Sequence, residues 1–211
     1  MTSLVSEVMT RNVVSLRTHA QFKDIVHVMR KRRFSAFPVL DDRDRVIGVV
    51  SEDDLLVKQG YGEADGPGFL IHRADRAKAH GVTAAQLMTR PAITIPPQAS
   101  VAEAARTMHA KHVKRLPVVT EDGRLVGIVS RVDLLGVYDR PDAEIKSEIL
   151  DRVIDGDFLL DSLAFTVTVR AGVVTLSGPV DHEPVAVSLL DAVRQVVGVV
   201  AVRDRLSYPH K

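Results

Sequence analysis

One stretch of this chain is written twice, 79 residues apart. Met9-Thr10-Arg11 returns as Met88-Thr89-Arg90, and Pro38-Val39 returns as Pro117-Val118. Gly48-Val49-Val50-Ser51 with Asp54-Leu55-Leu56 returns as Gly127-Ile128-Val129-Ser130 with Asp133-Leu134-Leu135. Met29 and Met108 keep the same offset, and no insertion breaks the register from Met9 to Leu56. Each copy of such a repeat is a unit that buries its apolar face against its neighbour. Two copies, with a period longer than that of common solenoids, predict a pair of domains related by pseudo-twofold symmetry.

Each copy parses alike. Val13 to Leu16 and Ala92 to Ile95 are short β-prone runs. Phe22, Ile25, Val26 and Met29 fall at i, i+3, i+4 and i+7, as do Val101, Ala104, Ala105 and Met108, which predicts helices over 21–31 and 100–110. The strands Phe37 to Leu40 and Leu116 to Val119 follow. Charged turns at 41–44 and 121–123 then lead into partner strands Val46 to Val50 and Leu125 to Val129. A closing helix starts at Ser51 or Ser130, giving β-α-β-β-α. Between the copies, Gly60 to Gly68 reads as a loop and 70–79 as a helix. Thr83 and Gln86 fit a capping box.

After Arg140-Pro141 the pattern changes. Ile145, Ile149, Val153 and Ile154 mark an amphipathic helix from about Asp142. Phe165 to Val169 alternates strictly, Ala171-Gly172 turns, and Val173 to Ser177 runs back as a hairpin. A helix near Pro184 carries Leu189, Leu190, Val193 and Val197, Gly198 ends it, and Val199 to Leu206 is a last strand. That is a second small domain, α-β-β-α-β. The expected organisation is copy one at 1–60, a linker at 61–82, copy two at 83–140 and the tail domain at 141–211. The class is α/β (α+β).

Composition narrows the function. The chain has 211 residues, no cysteine and no tryptophan, so thiolate chemistry and thiolate-bound metal are excluded. No apolar run approaches the roughly 20 residues that span a bilayer, and the first residues do not read as a secretory signal, so a cytoplasmic location is expected. Residues 1–140 carry 21 Lys+Arg against 16 Asp+Glu, and 141–211 carry 7 against 11. Neither excess is large enough to predict a nucleic-acid partner. His72, His80, His109 and His112 lack an arranged set of carboxylates, so they read as exposed polar residues and no metal is expected. Ser51 and Ser130 have no adjacent His, so no nucleophile–base–orienter set exists and no catalytic activity is expected.

The sharpest motif is Gly-h-h-Ser-x-x-Asp (h apolar) at Gly48/Ser51/Asp54 and Gly127/Ser130/Asp133. It has a purely structural reading, a capping box with Ser at N-cap and Asp at N3. It also has a ligand reading. A strand feeding a helix presents free N–H groups and a positive dipole end to an anion. The Ser hydroxyl can then donate to phosphate, Asp can accept from a ribose diol, and Gly permits close backbone approach.

These residues, with Val8-Met9-Thr10, Leu87-Met88-Thr89, Phe37-Pro38-Val39 and Leu116-Pro117-Val118, resemble a tandem cystathionine-β-synthase (CBS) domain pair, a Bateman module, over residues 1 to about 140. The resemblance implies a regulatory module that binds AMP, ADP, ATP or S-adenosylmethionine between the copies, and that pairs as a homodimer. It implies that Asp54 and Asp133 hold ribose and that Ser51 and Ser130 contact phosphate. Leu16, Ile95, Phe37 and Leu116 would flank adenine.

The copies differ in charge. The first helix start reads Ser51-Glu52-Asp53-Asp54 and the second Ser130-Arg131-Val132-Asp133. Lys114 and Arg115 precede the second Pro-Val where Ser35 and Ala36 precede the first. Arg131, Lys114 and Arg115 are therefore further phosphate candidates, and the expectation is that the Asp133 site prefers phosphorylated nucleotides while the Asp54 site is empty or takes a ligand carrying less negative charge.

The run from Val167 to Gly178, with Gly198 to Val202, resembles a BON (bacterial OsmY and nodulation) domain over about 142–208. The resemblance implies docking to a phospholipid surface. The acidic balance disfavours anionic headgroups and points instead to an intramolecular partner or a protein partner of unknown identity. The glycines also have a plainer reading, as turns and a helix end. The expected protein is a ligand sensor whose occupancy is relayed through the tail. The alternative is a scaffold whose pair only dimerises and whose tail docks a protein or membrane.

Overall fold

A computed structural model describes residues 3–61, 78 and 80–208. The helix expected over 70–79 and His72 lie outside the described residues, apart from Lys78. The elements of the repeated part are α1 (Val5–Val8), β1 (Leu16–Arg17), α2 (Phe22–Arg32), β2 (Ala36–Leu40), β3 (Val46–Ser51) and α3 (Glu52–Tyr61). They continue as α4 (Ala84–Leu87), α5 (Val101–Ala110), β4 (Arg115–Val119), β5 (Leu125–Ser130) and α6 (Arg131–Leu135). The tail holds α7 (Asp142–Glu148), which runs on as a π-helix over Ile149–Asp157. Then come β6 (Thr166–Arg170), β7 (Val173–Pro179), α8 (Glu183–Arg194) and β8 (Ala201–Ser207).

The chain divides into two compact units. One comprises Met9–Ala99 and Arg106–Ser130, the other Met1–Val8, Ser100–Ala105 and Arg131–Lys211. Compactness therefore follows a different division from the sequence repeat, and within the first unit the copies exchange short segments.

In the first unit, β1 pairs parallel with β2 and β2 antiparallel with β3, with a register shift between Val39 and Leu40. The second copy repeats this: β4 pairs antiparallel with β5, with its shift between Val118 and Val119. Ile95 forms only an isolated parallel bridge to Val118, where Leu16 starts a two-residue strand opposite Val39. The β-prone runs before each helix are thus mostly not strand.

The exchange is reciprocal. Thr89 of the second copy bonds both ways with Val49 of the first, N to O at 2.9 and 3.1 Å. Thr10 of the first bonds both ways with Ile128 of the second, each at 2.9 Å. The N–H groups of Ala84 and Ala85, in α4, donate to the carbonyls of Ala20 and Thr18 at 2.9 and 3.0 Å. Ala84, Leu87 and Met88 complete a core with Ile25, Met29, Phe37, Val39, Val50 and Leu55 of the first copy. The Thr83–Gln86 capping box is present and fixes the start of α4.

This exchange corrects the role expected of the glycines. A Cβ on Gly48 would lie 2.6 Å from Met88 Sδ and 3.0 Å from the Thr89 carbonyl oxygen, and one on Gly127 would collide with Met9 Sδ. The close approach is made by the other copy's Met-Thr segment rather than by a ligand. Gly48→Ala and Gly127→Ala should each destabilise by about 1–3 kcal/mol through overpacking. Chemical denaturation checks this, and native stability in both variants would refute the packing.

In the other unit, β6, β7 and β8 form one sheet, with β7 antiparallel to β6 and parallel to β8. Ile145, Ile149, Val153 and Ile154 are wholly buried with Leu176, Leu189 and Val193. Gly172 and Gly198 hold φ of 73° and 93° at a turn and after a helix, in agreement with the plainer reading of these residues. Burial pushes the Glu148 carboxyl up, but hydrogen bonds from Arg140 and Arg152 outweigh it and hold the group below its ordinary range. No helix among the described residues is long and apolar enough to cross a membrane.

Candidate functional site

Ser51 ends β3 directly opposite Ala36 of β2, and α3 starts at the next residue. Four residues of antiparallel pairing thus fix where the helix begins, and with it the place of Asp54. The Glu52 N–H is already taken by the Ser35 carbonyl at 3.0 Å, so this helix end is less open to an anion than its sequence implies.

Asp54 is the one buried charged residue among those described, 7% exposed. Its Oδ2 accepts from the Ser51 N–H at 2.8 Å and from the Ser51 hydroxyl at 2.7 Å. Its Oδ1 accepts from the Thr89 hydroxyl at 2.9 Å and from the Lys78 ammonium. Lys78 also donates to Thr89 Oγ1 at 2.7 Å. A buried carboxylate is tolerated only when paired and hydrogen-bonded, and here both conditions are met. The capping reading of Ser-x-x-Asp is therefore realised in the first copy, and the Ser51 hydroxyl is committed to Asp54. Thr89 and Lys78 were not found by sequence reasoning. Thr89 is marked only as part of the repeated Met-Thr, and Lys78 carries no motif signal.

The carboxylate sits in a cleft of about 750 Å³, counting space open to solvent. Ser35, Ala36, Val49 and the Ser51 to Asp54 run form one side, and Thr89, Pro91, Ala92, Ile93 and His112 to Arg115 form the other. Lys114 and Arg115 therefore face the first motif, which corrects the expectation that they serve the second. Arg115 stands opposite Ser130 in the strand register, yet its guanidinium donates to the Ser35 hydroxyl of the first copy. Lys114 Nζ lies 4.0 Å from an Asp53 carboxylate oxygen, both side chains largely exposed. These cations offset the three consecutive carboxylates at the helix start.

Two residues expected to flank adenine are core instead. Phe37 and Leu116 have no exposed surface, and the Phe37 ring packs edge-on against Phe34 at 5.8 Å. Strand alternation is the reason: successive residues of β2 point to opposite faces, and the larger Phe37 takes the core side while Ala36 lines the cleft. Ile95 is 3% exposed and Leu16 half-buried, and neither lines the cleft. Ala36, Val49, Pro91, Ala92, Ile93 and Val113 supply its apolar walls. Ser130, Arg131 and Asp133 do not line it either; Arg131 is exposed and Asp133 half-buried on α6. No group of three or more His, Cys, Asp or Glu among the described residues could hold a metal ion.

The model of the CBS domain matches residues 5–60 and 84–140, and that of the BON domain matches 141–209. The chain belongs to the CBS-domain family. It carries two CBS copies followed by a BON domain. The uncharacterised Methanopyrus kandleri protein MK0525 is 29% identical over 145 residues, which cover 69% of this chain and 67% of that protein. The crystal structure of CBSX2 in complex with AMP matches with a TM-score of 0.56 at 28% identity, over 63% of this chain and 94% of that one. The CBS pair of MJ0100, crystallised with 5′-methylthioadenosine and S-adenosyl-L-methionine, shares the fold with a TM-score of 0.53 at 18% identity, over 64% of this chain and 99% of that one.

Proposed function

We propose that the protein is a non-catalytic sensor of adenosine compounds, with the Asp54 cleft as its first binding site. Asp54 accepts the ribose hydroxyls, the small apolar walls contact the base, and Lys114 and Arg115 attract the phosphate. The observation that carries this reading is a carboxylate 7% exposed, set in an apolar-walled cleft that two cations line. The AMP complex of CBSX2 supports it, at 28% identity across 94% of that chain. Arg115 and Lys114 favour AMP, ADP or ATP over S-adenosylmethionine at this site. Ser130, Arg131 and Asp133 are the corresponding set of the second copy. In this reading the protein acts in the cytoplasm as a homodimer and relays occupancy through the BON domain to a protein partner.

A thermal-shift panel of AMP, ADP, ATP, S-adenosylmethionine and adenosine tests it. A ligand present at 100 times its Kd should add about 2.7 kcal/mol of stability. No shift with any of them would leave the scaffold reading, in which the pair only dimerises and the BON domain docks a protein or membrane. One observation favours association: Val132, Leu135 and Tyr138 are 76%, 65% and 55% exposed along α6 and the turn after it.

A further inference from the structure

The Asp54 carboxylate has about four acceptor positions, and four donors fill them. A ribose diol therefore has to displace one or two of those already there. One of the four is a backbone N–H, and two are hydroxyls on short side chains whose backbone is paired. The Ser51 N–H and hydroxyl belong to the last residue of β3, fixed opposite Ala36. The Thr89 hydroxyl hangs from a residue bonded both ways to Val49. Lys78 is different. It reaches the carboxylate from the stretch between the copies, through a long side chain with several rotatable bonds. Of the four donors it sits on the longest side chain and can swing farthest from the carboxylate.

We infer that Lys78 competes with the ribose for Asp54 and is the residue that makes this site select phosphorylated adenosine compounds over the nucleoside. The inference rests on the proposed function of the Asp54 cleft. The Lys78 side chain is 15% exposed and that of Asp54 8%, so parting them leaves a poorly hydrated ammonium without its counter-charge. A ligand phosphate in the same cleft can take that ammonium as a charge-assisted partner. Adenosine brings no such group, so it bears the full cost of opening the pair. Lys114 contributes differently. With 64% of its side chain exposed, it attracts the anion but binds it weakly. Discrimination is therefore assigned to Lys78, and Lys114 acts mainly on encounter.

The test is calorimetric titration of AMP and of adenosine into the full chain and into Lys78→Met, Lys78→Gln and Lys78→Arg. In Lys78→Met, adenosine should bind about tenfold tighter because its competitor is gone, with AMP changed little. The AMP-to-adenosine preference then falls about tenfold, equivalent to about 1.4 kcal/mol. Lys78→Gln should follow it, whereas Lys78→Arg keeps a cation and should hold the preference within about threefold, since a charged donor remains. If the wild-type protein binds AMP and the preference is unchanged in Lys78→Met and Lys78→Gln, the inference fails and the cleft's function stands. If the wild-type protein binds neither compound, both fail. Loss of folding in both neutral variants would make Lys78 a structural residue and overturn the inference.

Discussion

Asp54→Ala is expected to abolish AMP binding in the first cleft and to destabilise the protein at the same time. Removing the carboxylate takes away the buried acceptor proposed for the ribose diol, a loss of at least about 100-fold if each charged hydrogen bond contributes about 1.5–3 kcal/mol. It also strands the Lys78 ammonium, whose side chain is 15% exposed. Breaking a fully buried pair costs about 3–5 kcal/mol. Neither side chain is wholly buried, so about 2–3 kcal/mol is expected here. The double variant Asp54→Ala/Lys78→Met should regain about half of that stability while remaining unable to bind, because the stranded charge is gone and the acceptor is still missing. Calorimetry and urea denaturation read the two effects separately. An Asp54→Ala protein that still binds AMP within threefold of wild type would remove the cleft from consideration. Asp133→Ala should weaken AMP binding less than Asp54→Ala does, since Lys114 and Arg115 line the Asp54 cleft. The reverse order would return the phosphate preference to the second copy.

Phe37→Ala should be the most destabilising single change in the first copy. The side chain has no exposed surface and packs with Ile25, Met29, Val50 and Leu87. Truncating a buried phenylalanine typically costs about 3–5 kcal/mol in lost transfer energy and residual cavity. Phe37→Leu keeps most of the volume and is expected to cost less than about 1.5 kcal/mol. It should leave AMP affinity unchanged, because the ring faces the core and Ala36 faces the cleft. If instead Phe37→Leu weakened AMP binding tenfold with little loss of stability, the ring would be a base-stacking surface and its assignment to the core would be wrong.

These two residues show how far sequence reasoning reached. Asp54 was found because its motif is repeated with a fixed spacing, and a repeated polar motif at a strand-to-helix junction has a small set of physical uses. Phe37 was misplaced because an apolar residue in a five-residue strand can face either side. Side-chain volume on the packed face decides, and the packed face is set by α2 and α4. The tail is legible in the sequence strand by strand. Its hydrophobic periods are local and its turns carry Ala171-Gly172 and Gly198. The parallel pairing of β8 with β7 was not in the sequence, since pairing direction depends on where α8 returns the chain.

What the sequence determined by itself is the repeat and everything the repeat implies locally. That covers the α-β-β-α body of two copies, two Gly-h-h-Ser-x-x-Asp junctions and a separate α-β-β-α-β tail. Each follows from side-chain period, turn chemistry and capping, which act over a few residues. Tertiary structure decided who meets whom. Met88-Thr89 closes on Gly48 and Val49, Met9-Thr10 on Gly127 and Ile128, and Lys114 and Arg115 cross to the first copy's cleft. It also brought Lys78, a residue with no motif at all, onto Asp54. The physical reason is that the repeat is a translation along the chain, whereas the copies pack by exchanging segments. A residue's neighbours in sequence are therefore not the neighbours that complete its site.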